Sequence, residues 1–302
     1  MRERNPVFDM MKGLAIFLMV LGHCQIHEVL FHIIYLFHIP MFFIVSGYFY
    51  TPKDWKTCCK TDLRRLILPY LIFAAIVLLK FLIDAFRLQD FSVPVRFGKS
   101  ILTGDFGIGP IWFLLALFWC REIFNASAKW KWGMPIAIVS SILVGAFGLG
   151  VNSFLAFFEG VSSIVFYSLG FALSKMKLEV SSLVASISFA ISVAVFFLCG
   201  EMDVHTMHYP LYPLNVLGAL SVTLFLYWLF KTIWFGKYVK CFFAFYGRWS
   251  LLLLGVHYTE FMLFDWYAKI SDVVLVAVVR LVVDAGGAWV LSRIPIVKKV
   301  FF

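Results

Sequence analysis

Charge is scarce in this chain. Only 14% of its 302 residues are charged, and 17 acidic side chains face 26 basic ones. So little charge excludes the solvated surface of an ordinary soluble domain, and no interval between apolar runs is long enough to hold one. The six cysteines include the neighbours Cys58 and Cys59 but form no C-x-x-C pair, so no disulfide framework and no zinc site is read from them. No small-residue cleavage site follows the first apolar stretch, which is therefore expected to be a retained helix and not a removed signal. Neither a fixed-period repeat nor a low-complexity tract occurs.

What is present is hydrophobic: 62% of residues, with a mean hydropathy of +0.92. Runs of about 18 or more mainly apolar residues recur along the chain. The expected fold is an all-α polytopic membrane protein of about ten transmembrane helices, a single membrane domain over 1–302. The candidate spans are 9–25, 31–50, 66–86, 108–124, 133–150, 153–174, 183–200, 211–230, 250–267 and 273–291. The aromatic, lysine-flanked stretch from Trp234 to Tyr246 reads as an interfacial helix.

The surplus of nine positive charges would suggest nucleic acid in a soluble protein. Here the cations fall in loops between apolar segments, so topology explains them and no nucleic-acid partner is expected; the partners are membrane lipids. Placing both termini in the cytoplasm puts nineteen Lys and Arg on that side, counting Arg121 at the inner end of its span, and four outside, with Lys12, Lys80 and Arg280 inside spans.

An ionisable group inside a membrane helix is costly and by default functional. In FDMMKGLAIFLMVLGHCQ, Lys12 and His23 are eleven residues apart. They share one helical face about 16 Å apart, with Asp9 one turn before Lys12. In FHIPMFFIVSGYFY, Pro40 is expected to kink the helix near His38, at a depth where His38 and His23 can face one cavity. The alternative for each histidine is a bond to a backbone carbonyl between packed helices, an alternative that weighs more for His38 than for His23. Ser46 beside Gly47 reads as a close-packing small residue.

The inner loop gathers Lys53, Lys56, Lys60, Arg64 and Arg65 before the third span. It serves orientation, an anion site, or both. Trp112 reads first as an outer-interface belt residue and second as a site residue. His257 and Glu260 share a face in the ninth span, suited to a structural hydrogen bond or to substrate. Lys80 with Asp84 and Arg280 with Asp284 have ion-pair spacing, and Glu122 is expected to pair with Arg121 or a loop cation. Asp203, His205 and His208 in an outer loop are a weak metal cluster, and no metal is expected. Asn125-Ala-Ser127 matches a glycosylation pattern on the cytoplasmic side, where it is not used.

The blocks FDMMKGLAIFLMVLGH, FHIPMFFIVSGYFY, RRLILPY, IWFLLALF and YGRWSLLLLGVH, in that order over nearly the whole chain, resemble the acyltransferase 3 family of membrane O-acyltransferases. They are most similar to its fucose 4-O-acetylase-related branch. The resemblance implies a ten-helix enzyme of the bacterial inner membrane that acylates a sugar hydroxyl of a surface polysaccharide from acetyl-CoA or a related acyl-CoA. It maps a basic-residue and histidine motif onto Lys12 and His23, with His23 catalytic. It also maps a Ser-Gly element onto Ser46-Gly47 and an arginine patch onto Arg64 and Arg65, where Asp62 replaces a commonly basic residue. On this reading Asp9, Lys12 and His23 are catalytic; His38, Ser46, Trp112, His257 and Glu260 face substrate; Lys60, Arg64 and Arg65 bind the donor. The alternative is a transporter of a sugar intermediate or small acid, with buried ionisable groups relaying protons.

Overall fold

The computed structural model describes residues 5–151, 153–233 and 235–301. Trp234, at the head of the expected interfacial segment, lies outside them. Among the described residues the secondary structure is helical, apart from one isolated bridge between Asp203 and His208. The α-helices are α1 (Pro6–Gly22), α2 (Glu28–Tyr35), α3 (His38–Tyr48), α4 (Trp55–Asp62), α5 (Leu68–Leu88), α6 (Ser92–Thr103), α7 (Trp112–Ser127) and α8 (Gly133–Ala146). They continue with α9 (Phe157–Ser162), α10 (Ile164–Lys175), α11 (Ser182–Cys199), α12 (Tyr212–Thr232), α13 (Lys237–Arg248), α14 (Ser250–Leu263), α15 (Val273–Leu291) and α16 (Pro295–Phe301).

Among the described residues, six segments are long and apolar enough to cross a membrane: 28–48, 55–88, 107–127, 182–199, 212–232 and 273–291. The number rises to eight if two broken pairs, α9 with α10 and α13 with α14, each count as one span. The expected ten is not reached on length and apolarity. The expected first span is the 17-residue α1, and the expected fifth is the 14-residue α8.

Helix ends follow local chemistry. Asn5 caps α1 by accepting from the Val7 amide at 2.9 Å, with Pro6 at the first helical position. Asp272 caps α15 in the same way, accepting from the Leu275 amide at 2.8 Å. The expected kink in the second span is a two-residue interruption at Leu36-Phe37, across which 28–48 still counts as one span. Pro40 then sits in the first turn of α3, where a missing N–H costs no helical bond.

The chain divides into two compact units. The first comprises residues 5–51, 145–148 and 163–250 and holds α1 to α3 and α10 to α13. Its core gathers Phe8, Met11, Phe37, Met41, Val45 and Phe230. Two glycine crossings hold its helices together. A Cβ on Gly13 would lie 1.9 Å from the Phe243 carbonyl oxygen, and one on Gly247 would lie 1.6 Å from that of Asp9, so α1 and α13 touch backbone to backbone. Gly47 and Gly170 do the same for α3 and α10, at 1.9 Å from the Tyr167 oxygen and 1.8 Å from the Ile44 oxygen. Small residues at such crossings are what membrane helices use where water supplies no drive. The segment read as interfacial is therefore a helix docked along α1, with Tyr246 and Gly247 buried.

The second unit, described over 52–144, 149–151, 153–162 and 251–301, holds α4 to α9 and α14 to α16. On α5, Ile76, Leu79, Ile83 and Phe86 recur at helical spacing and are all exposed, the stripe expected against lipid. The helix α6, which follows α5, has no counterpart among the expected segments.

Candidate active site

In the first unit, α1 runs unbroken from Pro6 to Gly22 and His23 caps its C-terminus. The His23 amide donates to the Met19 and Val20 carbonyls, and the residue is half-buried. Helical geometry keeps Lys12 about 16 Å back along the same helix. Lys12 is paired with Asp9 at 2.9 Å, and both are largely shielded, with side-chain exposures of 25% and 11%. The structure thus brings Asp9 and Lys12 together at one end of α1 and sets His23 at the other.

Gly22, beside His23, packs against Tyr35 and Ile34 at the end of α2. The Tyr35 ring meets His38 edge-on at 4.9 Å. His38 is buried, and its Nδ1 lies 2.8 Å from the Ile34 carbonyl. Since a carbonyl only accepts, Nδ1 carries the proton and donates it, which leaves Nε2 as the acceptor of the neutral ring. The backbone-bonded reading of His38 is therefore the observed one for Nδ1. Ser46 is half-buried on α3, next to the Gly47 crossing.

The hairpin after α11, which carries Asp203, His205 and His208, turns these groups to its own backbone. Asp203 and His208 exchange backbone hydrogen bonds at 2.9 Å each, and the Asp203 carboxylate caps the His205 amide at 2.8 Å. His32 on α2 meets Glu201 at 3.1 Å. Burial pushes the His205 imidazole down to about 3.

In the second unit, Trp55, Lys56, Cys59, Lys60, Leu63 and Arg64 line an open groove of about 510 Å³. Arg64 and Arg65 are exposed on a π-helical turn, Leu63–Ile67, in which the Leu68 amide reaches back to the Leu63 carbonyl. Such wide turns recur at functional sites. Arg64 also donates to the Lys299 carbonyl at 3.0 Å, fixing α16 beside the groove.

The departure at Asp62 has a structural explanation. Asp62 is 1% exposed and accepts from Arg121 Nε at 2.7 Å, joining α4 to α7. Arg121 is thus drawn to Asp62, while Glu122 faces Cys58 and Asp62. Asn125 is buried and clasps Lys53, accepting from its amide and donating to its carbonyl at 3.1 Å each. Trp112 is 6% exposed, enclosed by protein and not displayed as a belt. Lys80 and Asp84 pair as spaced.

His257, Glu260, Arg280 and Asp284 are all buried. Arg280 and Asp284, one turn apart on α15, address two residues of α14. Asp284 lies 2.8 Å from His257 Nδ1, and Arg280 Nε lies 3.5 Å from Glu260. Sequence spacing reads each helix alone and misses this cross-helix exchange. The i,i+3 spacing of His257 and Glu260 was the available signal.

The model of the acyltransferase 3 family, described as an acyltransferase domain, matches residues 5–293. Over 146 residues the chain is 28% identical to nodulation protein NolL of Sinorhizobium fredii, a stretch that covers 42% of this chain and 39% of that protein. The chain thus spans well under two thirds of this relative's length. No solved structure matches. The family match runs across nearly the whole of an all-helical, multi-pass membrane protein, and the chain belongs to the acyltransferase 3 family.

Proposed function

We propose that the protein is an O-acetyltransferase, moving an acetyl group from acetyl-CoA to a hydroxyl of a cell-surface sugar or polysaccharide precursor with His23 as general base. The observation that carries this reading is the family match over residues 5–293; the resemblance in sequence maps its basic-residue and histidine motif onto Lys12 and His23. An alcohol attacks a thioester poorly at neutral pH, and an imidazole within hydrogen-bond reach removes its proton as attack proceeds. The acceptor oxygen bonds to the thioester carbon, His23 takes the hydroxyl proton, and collapse breaks the C–S bond to release the coenzyme A thiol, protonated from His23.

The bacterial inner membrane, with both termini inside, places the groove of Lys56, Lys60 and Arg64 toward the cytoplasmic donor. Cations there suit the phosphates of coenzyme A, and the exposed Trp55 offers a face to its adenine. Arg65 adds charge beside it. Lys12, held by Asp9 about 16 Å from His23, is too far to touch the same carbonyl and is assigned to the donor's path. His38 and Ser46, in the unit of His23, are assigned to the acceptor; Trp112, His257 and Glu260, in the second unit, are separate candidates for substrate contact.

The test uses the full chain in liposomes with radiolabelled acetyl-CoA and extracted surface glycans. Label in the glycan supports the proposal. Uptake of sugar into vesicles without any acyl transfer overturns it in favour of a carrier.

A further inference from the structure

The polar knot between α14 and α15 has more carboxylate than its neighbours satisfy. His257, Glu260 and Asp284 are 0–3% exposed by side chain, and Arg280 is 5% exposed. Glu260 uses Oε1 twice, accepting from the Trp266 indole N–H and facing Arg280 Nε at 3.5 Å. Its Oε2 has no hydrogen-bond partner and points toward His257 Nδ1 at 3.6 Å. Asp284 presents Oδ2 to the same nitrogen at 2.8 Å, while its Oδ1 has no partner. Two carboxylates thus face one guanidinium and one imidazole in an apolar interior, where an uncompensated charge costs several kcal/mol.

We propose that His257, Glu260 and Asp284 bind one divalent transition-metal ion, zinc or manganese. One imidazole nitrogen and two carboxylate oxygens are a donor set such ions accept. Two ligands held at about 2.1 Å from one ion lie about 3.0 Å apart at a right angle and about 3.4 Å apart at the tetrahedral angle. The observed 2.8 and 3.6 Å bracket those separations. The Trp266 indole holds the far oxygen of Glu260, with Arg280 Nε 3.5 Å from it, and leaves Oε2 facing His257, as an outer-shell partner of a metal-binding carboxylate does. The ion gives the unpartnered Oε2 of Glu260 a ligand role and pins α14 to α15, independently of His23.

The experiment takes the full-length protein in detergent, strips it with chelator, dialyses it against Zn²⁺ or Mn²⁺, and measures bound metal by mass spectrometry alongside the melting temperature. Native protein and an Asp84→Asn control at the exposed Lys80 pair should each retain one ion per chain and melt higher than the stripped form. His257→Gln and Glu260→Gln should lose the ion, and Trp266→Phe should weaken binding by about 10- to 100-fold. If the variants do not fold, Co²⁺ added to native protein should give d–d absorption that Zn²⁺ displaces. Folded native protein that retains no ion and gives no such absorption overturns the proposal, as does equal retention in native protein and folded variants.

Discussion

Gly13→Ala is the substitution whose consequence follows most directly from the geometry of α1. The added Cβ would sit 1.9 Å from the Phe243 carbonyl oxygen, 2.7 Å from its carbon and 3.0 Å from the Gly247 nitrogen, all backbone. Side-chain rotation gives no relief, so α1 and α13 must separate by about 1.1 to 1.5 Å to reach the 3.0–3.4 Å range of tight contacts. Overpacking of this kind costs about 1–3 kcal/mol. Lys12 precedes Gly13 and His23 ends the same helix, so the shift carries both, and a displacement of about 1 Å at reacting groups is worth about a hundredfold in rate. The assay pairs thermal melting in detergent with the initial rate of labelled acetyl transfer in liposomes. Gly13→Ala should melt lower and turn over about tenfold to a hundredfold more slowly. Gly98→Ala on α6, where an added Cβ meets nothing within 4 Å, should match the native protein in both. A Gly13→Ala protein with native melting and native rate would refute the reasoning.

Three further outcomes are expected. Lys60→Ala with Arg64→Ala should raise KM for acetyl-CoA with kcat little changed, because contacts to the donor's phosphates serve ground state and transition state alike; steady-state kinetics showing a fall in kcat alone would contradict the groove's assignment. Arg121→Met strips the cation from the buried Asp62 carboxylate and should cost about 2–4 kcal/mol, most of it recovered in the Arg121→Met, Asp62→Leu double variant; a melting cycle without recovery would count against the pair. His205 titrates near 6.5 when unfolded but is pushed down to about 3 by burial. The unfolded chain then binds the extra proton, so this contribution to stability is present above pH 6.5 and lost as pH falls toward about 3. Melting between pH 7 and pH 4 should show that loss, and His205→Asn should flatten it.

The apolar runs made the membrane class legible, because each must bury or meet lipid along its whole length. Val273–Leu291 coincides with the segment read from hydrophobicity alone. Breaks were harder. Pro40 pointed to the interruption near His38, but the break falls at Leu36-Phe37, and proline settles into the first turn beyond it. The stretch after Trp234 looked interfacial because Lys237 and Lys240 flank its aromatics. Only the partner helix shows that Gly247 meets Gly13 there. At the site, the Lys12, Asp9 and His23 stripe was visible from helical periodicity. The pairings Asp62 with Arg121 and His257 with Asp284 join residues 59 and 27 positions apart, and no single-helix rule reaches them.

The central claim is that the imidazole closing α1 removes the acceptor's proton. The most direct measurement is the initial rate of acetyl transfer by a His23→Asn protein that melts like the native one. The account predicts a fall of about a hundredfold or more. A rate within about twofold of native would contradict it.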